Sequence, residues 1–211
     1  MTNLINPDLL LIIINTMGSV KGPHDFYFNM ISKKIRVAIY IDGSNFYFSI
    51  KKTFKCKIDI EKFCRKIVDN DDLIKINYYI APVLQESNPK MYADQQSFFE
   101  KLKKIDKLKI IFGRLEKHKK DGKTFYVEKA TDVNLALDLV LDAQAENYDK
   151  AYLISNDGDF SGAVKASTGK FSREVIYAAI GNNRSTSYHL KKVASKTLKI
   201  DENFISDVKL T

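Results

Sequence analysis

Tryptophan is absent from this chain, and its 211 residues include only two cysteines, three histidines, four prolines and nine glycines. So little proline and glycine excludes a collagen-like or low-complexity chain. Cys56 and Cys64 match no zinc spacing, because a structural site needs four soft ligands and His24, His118 and His189 are scattered. Two cysteines without a framework suit a reducing compartment, so a cytoplasmic location is expected. No apolar run reaches the roughly 18–20 residues that span a bilayer, and no membrane partner is expected. The opening MTNLINPDLLLIIIN has an apolar stretch at Leu9–Ile14, but no basic leader before it and no small-residue cleavage site after it. Residues 1–34 therefore read as an extension. A short strand, an added helix, or a segment upstream of a start at Met17 or Met30 all stay open.

What the chain does have is 45% hydrophobic and 28% charged residues, enough for one domain, expected over residues 35–205 with a tail at 206–211. Its 34 Lys+Arg against 26 Asp+Glu give a net charge of +8, which attracts polyanions. Charge alone does not separate a nucleic-acid binder from an ordinary basic protein.

Apolar runs and amphipathic stretches alternate from Ile35 onward. IRVAIYI (35–41) is a continuous β-branched and aromatic run, suited to a strand buried on both faces, and it stops at Asp42-Gly43. Further strands are predicted at 73–81, 108–115, 151–155 and 174–180. Helices are predicted after Asp42, from Asp59, from Asn88-Pro89, over 131–147, near 159–168 and near 186–196. In the 131–147 helix, Val133, Ala136, Leu137, Val140 and Leu141 are read as the buried face. EKHKKDGKTFYVEK (116–129) reads as a hairpin or basic loop turning at Asp121-Gly122. Strands alternating with helices predict a doubly wound α/β domain with a mainly parallel sheet. Ligands of such sheets bind at the carboxyl ends of strands, at the switch in strand order.

Four acids fall at or near those ends. The first strand stops at Asp42 in IDGSN, the fourth at Asp157 and Asp159 in SNDGDF, and Asp132 opens the long helix between them. Each has a plainer reading as a turn or cap residue. Adjacent first and fourth strands would instead gather all four at one rim, where they must carry raised pKa values or bind a hard cation. Oxygen donors suit Mg²⁺ or Mn²⁺, the ions that assist phosphodiester hydrolysis.

The ordered motifs IDGSNFYFSI, KATDVNLALDLV, AYLISNDGDFSGAV and SYHLKKVAS resemble the NYN domain, in the LabA-like branch of the PIN-like nuclease superfamily. The resemblance runs from about Arg36 to about Phe204 and leaves residues 1–34 outside it. It implies a Rossmann-like, PIN-like sheet in the order 3-2-1-4-5, flanked by helices, with a Mg²⁺- or Mn²⁺-dependent ribonuclease site. Carried over by position, Asp42, Asp132, Asp157 and Asp159 are the metal-binding and catalytic acids, supported by Asn45, Ser155 and Asn156. Asp138 is also usual in the family. It stands six residues after Asp132, about 240° further round the helix, and is expected to anchor a neighbouring loop or basic residue rather than share that metal. The chain departs from the common pattern with Asn156 where glycine is frequent and Thr131 where valine is frequent.

For RNA, expected to be single-stranded, the candidate contacts are Lys117, Lys119 and Lys120 in the predicted hairpin and Lys129 beside Asp132. Arg184 and Ser185 join them, where the helix predicted near 186 opens. Phe46, Tyr47 and Phe48 are read as core, with base stacking as the alternative. The leading expectation is an endoribonuclease that activates water to leave 5′-phosphate and 3′-hydroxyl ends. The alternative is a non-catalytic RNA-binding or regulatory module that keeps the acidic rim. A haloacid dehalogenase-type phosphatase needs a second carboxylate two residues after the first, where this chain has Ser44. Homodimerisation is left open, because no surface in the sequence argues for it.

Overall fold

A computed structural model describes residues 34–120, 123–182 and 184–210. The expectations for residues 1–33 and for the Asp121-Gly122 turn lie outside the described residues. Ile35–Thr211 form one compact unit. The elements in order are β1 (Arg36–Asp42), α1 (Gly43–Phe54), α2 (Ile60–Val68), β2 (Asp72–Ile80), α3 (Pro89–Leu102), β3 (Leu108–Phe112), β4 (Arg114–Lys120) and β5 (Lys123–Lys129). They continue with α4 (Thr131–Gln144), β6 (Lys150–Ile154), a 3-10 turn (Gly158–Phe160), α5 (Ser161–Lys165), a π turn (Ala166–Lys170), β7 (Glu174–Ile180), α6 (Tyr188–Val193), β8 (Lys196–Ile200) and α7 (Glu202–Ser206).

The main sheet is six-stranded and parallel, in the order β3-β2-β1-β6-β7-β8. Setting the β4–β5 hairpin aside, this is the expected 3-2-1-4-5 order with one strand added at the edge. β1 lies between β2 and β6, so both its edges are paired, and with helices packed on both faces its alternate residues enter two cores. Val37, Ile39 and Ile41 pack with Phe46, Ile50, Phe63 and Ile67 on the α1–α2 side. Ala38 and Tyr40 pack with Leu135, Leu139, Leu153 and Phe160 on the α4 side. Cys64 is fully buried in the first core, and that burial pushes its thiol pKa up. No described helix is long and apolar enough to cross a membrane.

Three local expectations change. The stretch predicted as one strand over 108–115 breaks at Gly113. A Cβ there would lie 2.2 Å from Thr131 Oγ1 and 2.7 Å from the Lys129 carbonyl, so the chain turns where only glycine fits. β4 and β5 then pair antiparallel as a separate ribbon. The helix predicted near 186–196 is shorter, and the chain continues into β8 and α7.

The predicted buried face of α4 is also turned. Leu135, Leu139 and Ala143 are buried, whereas Val133, Leu137 and Leu141 are 61%, 52% and 56% exposed. Two apolar stripes run along this helix at i, i+4 spacing. The sheet takes the one flanked by Asp138 and Asp142, whose carboxylates accept from Tyr79 and Tyr40.

Candidate functional site

β1 and β6 are adjacent and parallel, with the chain leaving them for different layers, so their carboxyl ends frame the switch in strand order. Asp42 ends β1 and caps α1, its Oδ1 accepting from Asn45 N at 3.0 Å. Its Oδ2 accepts from Ser155 Oγ, just past β6, at 2.9 Å. Gly43 lets this corner pass close under β2, since a Cβ would lie 2.4 Å from the Tyr78 ring and 2.8 Å from the Tyr79 carbonyl.

Asp42 is 5% exposed. Burial pushes its carboxyl pKa up to about 6, the nearby charges of Asp132 and Glu128 add to the rise, and the bonds from Asn45 and Ser155 oppose it. Asp132 lies in the first turn of α4 and is exposed as a residue. Its carboxyl nevertheless sits among protein atoms on the rim side, and that partial burial, followed by the charges of Asp157, Glu128 and Asp159, raises its pKa. Asp157 caps the 3-10 turn by accepting from Asp159 N at 2.9 Å, and its own amide donates to Ser155 Oγ at 3.1 Å. The four aspartates singled out in the sequence therefore share one rim and one electrostatic field.

A neutral frame holds the rim. Asn45 Oδ1 accepts from Asn156 N at 2.9 Å and Ser49 Oγ at 3.2 Å. Asn156 Nδ2 donates to the Ile180 carbonyl at 2.8 Å, and its Oδ1 accepts from Tyr177 OH at 2.6 Å. Tyr177 OH in turn accepts from Ser187 N at 3.0 Å. Asn156, where the resemblance expects glycine, thus ties the ends of β6 and β7 to α1.

Asp138 stands on the other flank of the buried face of α4 from Asp132 and accepts from Tyr79 OH at 2.8 Å. It does anchor a neighbour, but the neighbour is a strand tyrosine rather than a loop or a basic residue. Lys117, Lys119 and Lys129 are exposed on the hairpin. Arg184 and Ser185 do not open a helix. Their amides donate to Asn182 Oδ1 in an exposed turn, and α6 opens at Ser187, whose side chain accepts from Leu190 N. Phe46 is core, as read, while Tyr47 and Phe48 are 52% and 63% exposed.

The sequence reading missed Glu128. From the base of β5 it accepts from Ser44 Oγ at 2.9 Å and Ala81 N at 3.2 Å, and it acts on both Asp42 and Asp132. No local signal marks it, because Glu116 and Asp121 are further acids of the same lysine-rich stretch.

Among the described residues, no three His, Cys, Asp or Glu side chains converge into a complete metal-ligand set. The donor chemistry still fits a hard cation: every candidate is a carboxylate oxygen, and Asp42 and Asp132 are each destabilised by the charges of neighbouring carboxylates. Mg²⁺ commonly keeps several waters and takes only one or two carboxylates plus substrate phosphate oxygens, so a partial protein shell suits it.

The family profile described as NYN domain matches residues 36–201. The chain is similar to the crystal structure of a protein of unknown function from Vibrio parahaemolyticus, at 23% identity and a TM-score of 0.65. The match covers 85% of this chain and 98% of that one. At that identity the likeness carries the fold. No curated protein matches.

Proposed function

The chain belongs to the NYN domain family, and from that membership we propose that it is a metal-dependent endoribonuclease of the LabA-like branch. The observation that carries this reading is Asp42, a carboxylate buried at the switch in strand order and destabilised by Asp132 and Glu128. Mutually repelling carboxylates held at one rim favour a cation between them.

Asp42, Asp132, Asp157 and Asp159 would hold Mg²⁺ or Mn²⁺, which supplies Lewis acidity toward a phosphate oxygen and acidifies water. Asp42 presents its carboxylate from a position fixed by two hydrogen bonds, so little reorganisation is needed when substrate arrives. Asp157 and Asp159 reach the rim from one turn, which Ser155 links to Asp42. Asn45 and Asn156 fix the distance between the two strand ends. Lysines beside the rim hold the RNA backbone, and the expected ends are 5′-phosphate and 3′-hydroxyl.

The test is cleavage of a 5′-labelled single-stranded RNA in Mn²⁺, Mg²⁺ or EDTA, by wild type and by Asp42→Asn. Metal-dependent cutting by wild type, lost in the variant, supports the reading. RNA binding without cutting under either cation would overturn it in favour of a non-catalytic RNA-binding module.

A further inference from the structure

The β4–β5 ribbon has two chemically different faces. Cross-strand partners share a face and successive pairs alternate. Arg114 with Lys129, Glu116 with Val127 and His118 with Phe125 lie on one side. Leu115 with Glu128, Lys117 with Tyr126 and Lys119 with Thr124 lie on the other.

Apart from Lys129, which is exposed at the rim end, the first face is engaged with itself. Arg114 pairs with Glu116 at 3.0 Å, His118 Nε2 lies 3.7 Å from the same carboxylate, and the His118 ring stacks on Phe125 at 5.5 Å between centroids. The second face is fastened at its base, where Glu128 meets Ser44 and Ala81 N at the acidic rim. Beyond that anchor it carries Lys117 and Lys119, both exposed and neither paired with a carboxylate among the described residues, with Tyr126 opposite Lys117. Successive pairs on one face are about 7 Å apart along the strand, so the face leads outward from the rim in regular steps.

We propose that this second face is the track along which single-stranded RNA reaches the acidic rim, Tyr126 stacking on a base and Lys117 and Lys119 holding phosphates. This deepens the nuclease reading of the rim and rests on it. Unpaired lysines complement a phosphate backbone, and an aromatic among them is how proteins grip unpaired bases without reading sequence. An RNA duplex offers Tyr126 no free base face, and its major groove is too deep and narrow for the ribbon.

The experiment measures affinity for a fluorescein-labelled single-stranded RNA and for a duplex of equal length, in EDTA, across a salt series. It compares wild type, K117A/K119A, Y126A, Y126F and K101A/K104A, the last removing two lysines near the opposite end of the sheet. K117A/K119A is expected to flatten the slope of log K against log salt by about 1.4, at roughly 0.7 per phosphate contact on a single strand, while K101A/K104A leaves it unchanged. Y126A is expected to weaken single-stranded binding about 5- to 160-fold and leave duplex binding unchanged, with Y126F close to wild type. Equal slope changes in the two lysine pairs, or unchanged single-stranded affinity in Y126A, would overturn the track. Cleavage in Mn²⁺ is read separately: a wild type that binds through this face but never cuts overturns the nuclease reading alone. Hairpin variants that cut with wild-type kcat/KM overturn the track alone.

Discussion

Ser155 donates its hydroxyl to Asp42 Oδ2 across 113 positions of sequence, joining the ends of two adjacent parallel strands at a buried carboxylate. That bond is charge-assisted when Asp42 is ionised, and Ser155 itself is fully buried. Ser155→Ala should cost about 1.5–3 kcal/mol of stability at neutral pH, the usual worth of a hydrogen bond to a charged group. It should also move the acid limb of the cleavage pH profile upward, because the ionised form loses a donor. Urea unfolding and a pH–rate series check the two effects, and an unmoved acid limb would refute the second.

In metal-free protein the Asp42 carboxyl titrates near 6, against 3.8 for an ordinary aspartate. Between those values the folded protein holds a proton that the unfolded chain has released, so stability rises as pH falls from 7 toward 4. The contribution is at most about 3 kcal/mol. Asp42→Asn removes it, and in EDTA the variant should be more stable than wild type at pH 7 and lose that advantage near pH 4. Denaturant titrations at several pH values measure the difference.

Cation binding should stabilise the fold by mass action, by about 2.7 kcal/mol when Mn²⁺ is a hundredfold above its Kd. The rise in melting temperature should disappear in Asp42→Asn and shrink in Asp132→Asn. EDTA should reverse it in wild type. An identical rise in all three proteins would place the cation elsewhere.

Asn156→Ala leaves the Ile180 backbone, Tyr177 OH and Ser49 Oγ with fewer partners, since four bonds of the Asn156 side chain go to Ser49, Tyr177 and Ile180. A loss of about 2–4 kcal/mol is expected, from several polar groups left unsatisfied together. Cleavage should fall with it, because the ends of β6 and β7 lose their shared tie. Differential scanning calorimetry and the cleavage assay, run on the same preparation, check both.

Ala130 sits at φ 70°, in the left-handed region, where the hairpin hands over to α4. A Cβ there costs roughly 1 kcal/mol. Ala130→Gly should therefore stabilise the protein by up to about 1 kcal/mol without changing the rim, readable as a shifted urea midpoint at constant m.

Much of this architecture was legible in the chain because burial on both faces writes itself as unbroken apolar runs. VAIYI (37–41) is one, and its abrupt stop marked Asp42. The rotation of α4 was not legible. Leu135 and Leu139 compete with Val133, Leu137 and Leu141 at the same spacing, and only Asp138 and Asp142 finding tyrosines on the sheet decides between them. β8 escaped notice because KTLKI is an edge strand in which only Leu198 and Ile200 turn inward. Glu128 escaped because its partners, Ser44 and Ala81, stand 84 and 47 positions away. Nothing local distinguishes it from a solvated hairpin acid.

The frame around the rim has no ionisable member in the pH range where the acids titrate. Asn45, Ser49, Asn156 and Tyr177 join its elements through amides and hydroxyls, and burial keeps Tyr177 protonated. Scaffold and charge are consequently separable. Acid or salt can silence the carboxylates without loosening the lattice that spaces them, so activity lost at low pH should return on neutralisation without a refolding lag.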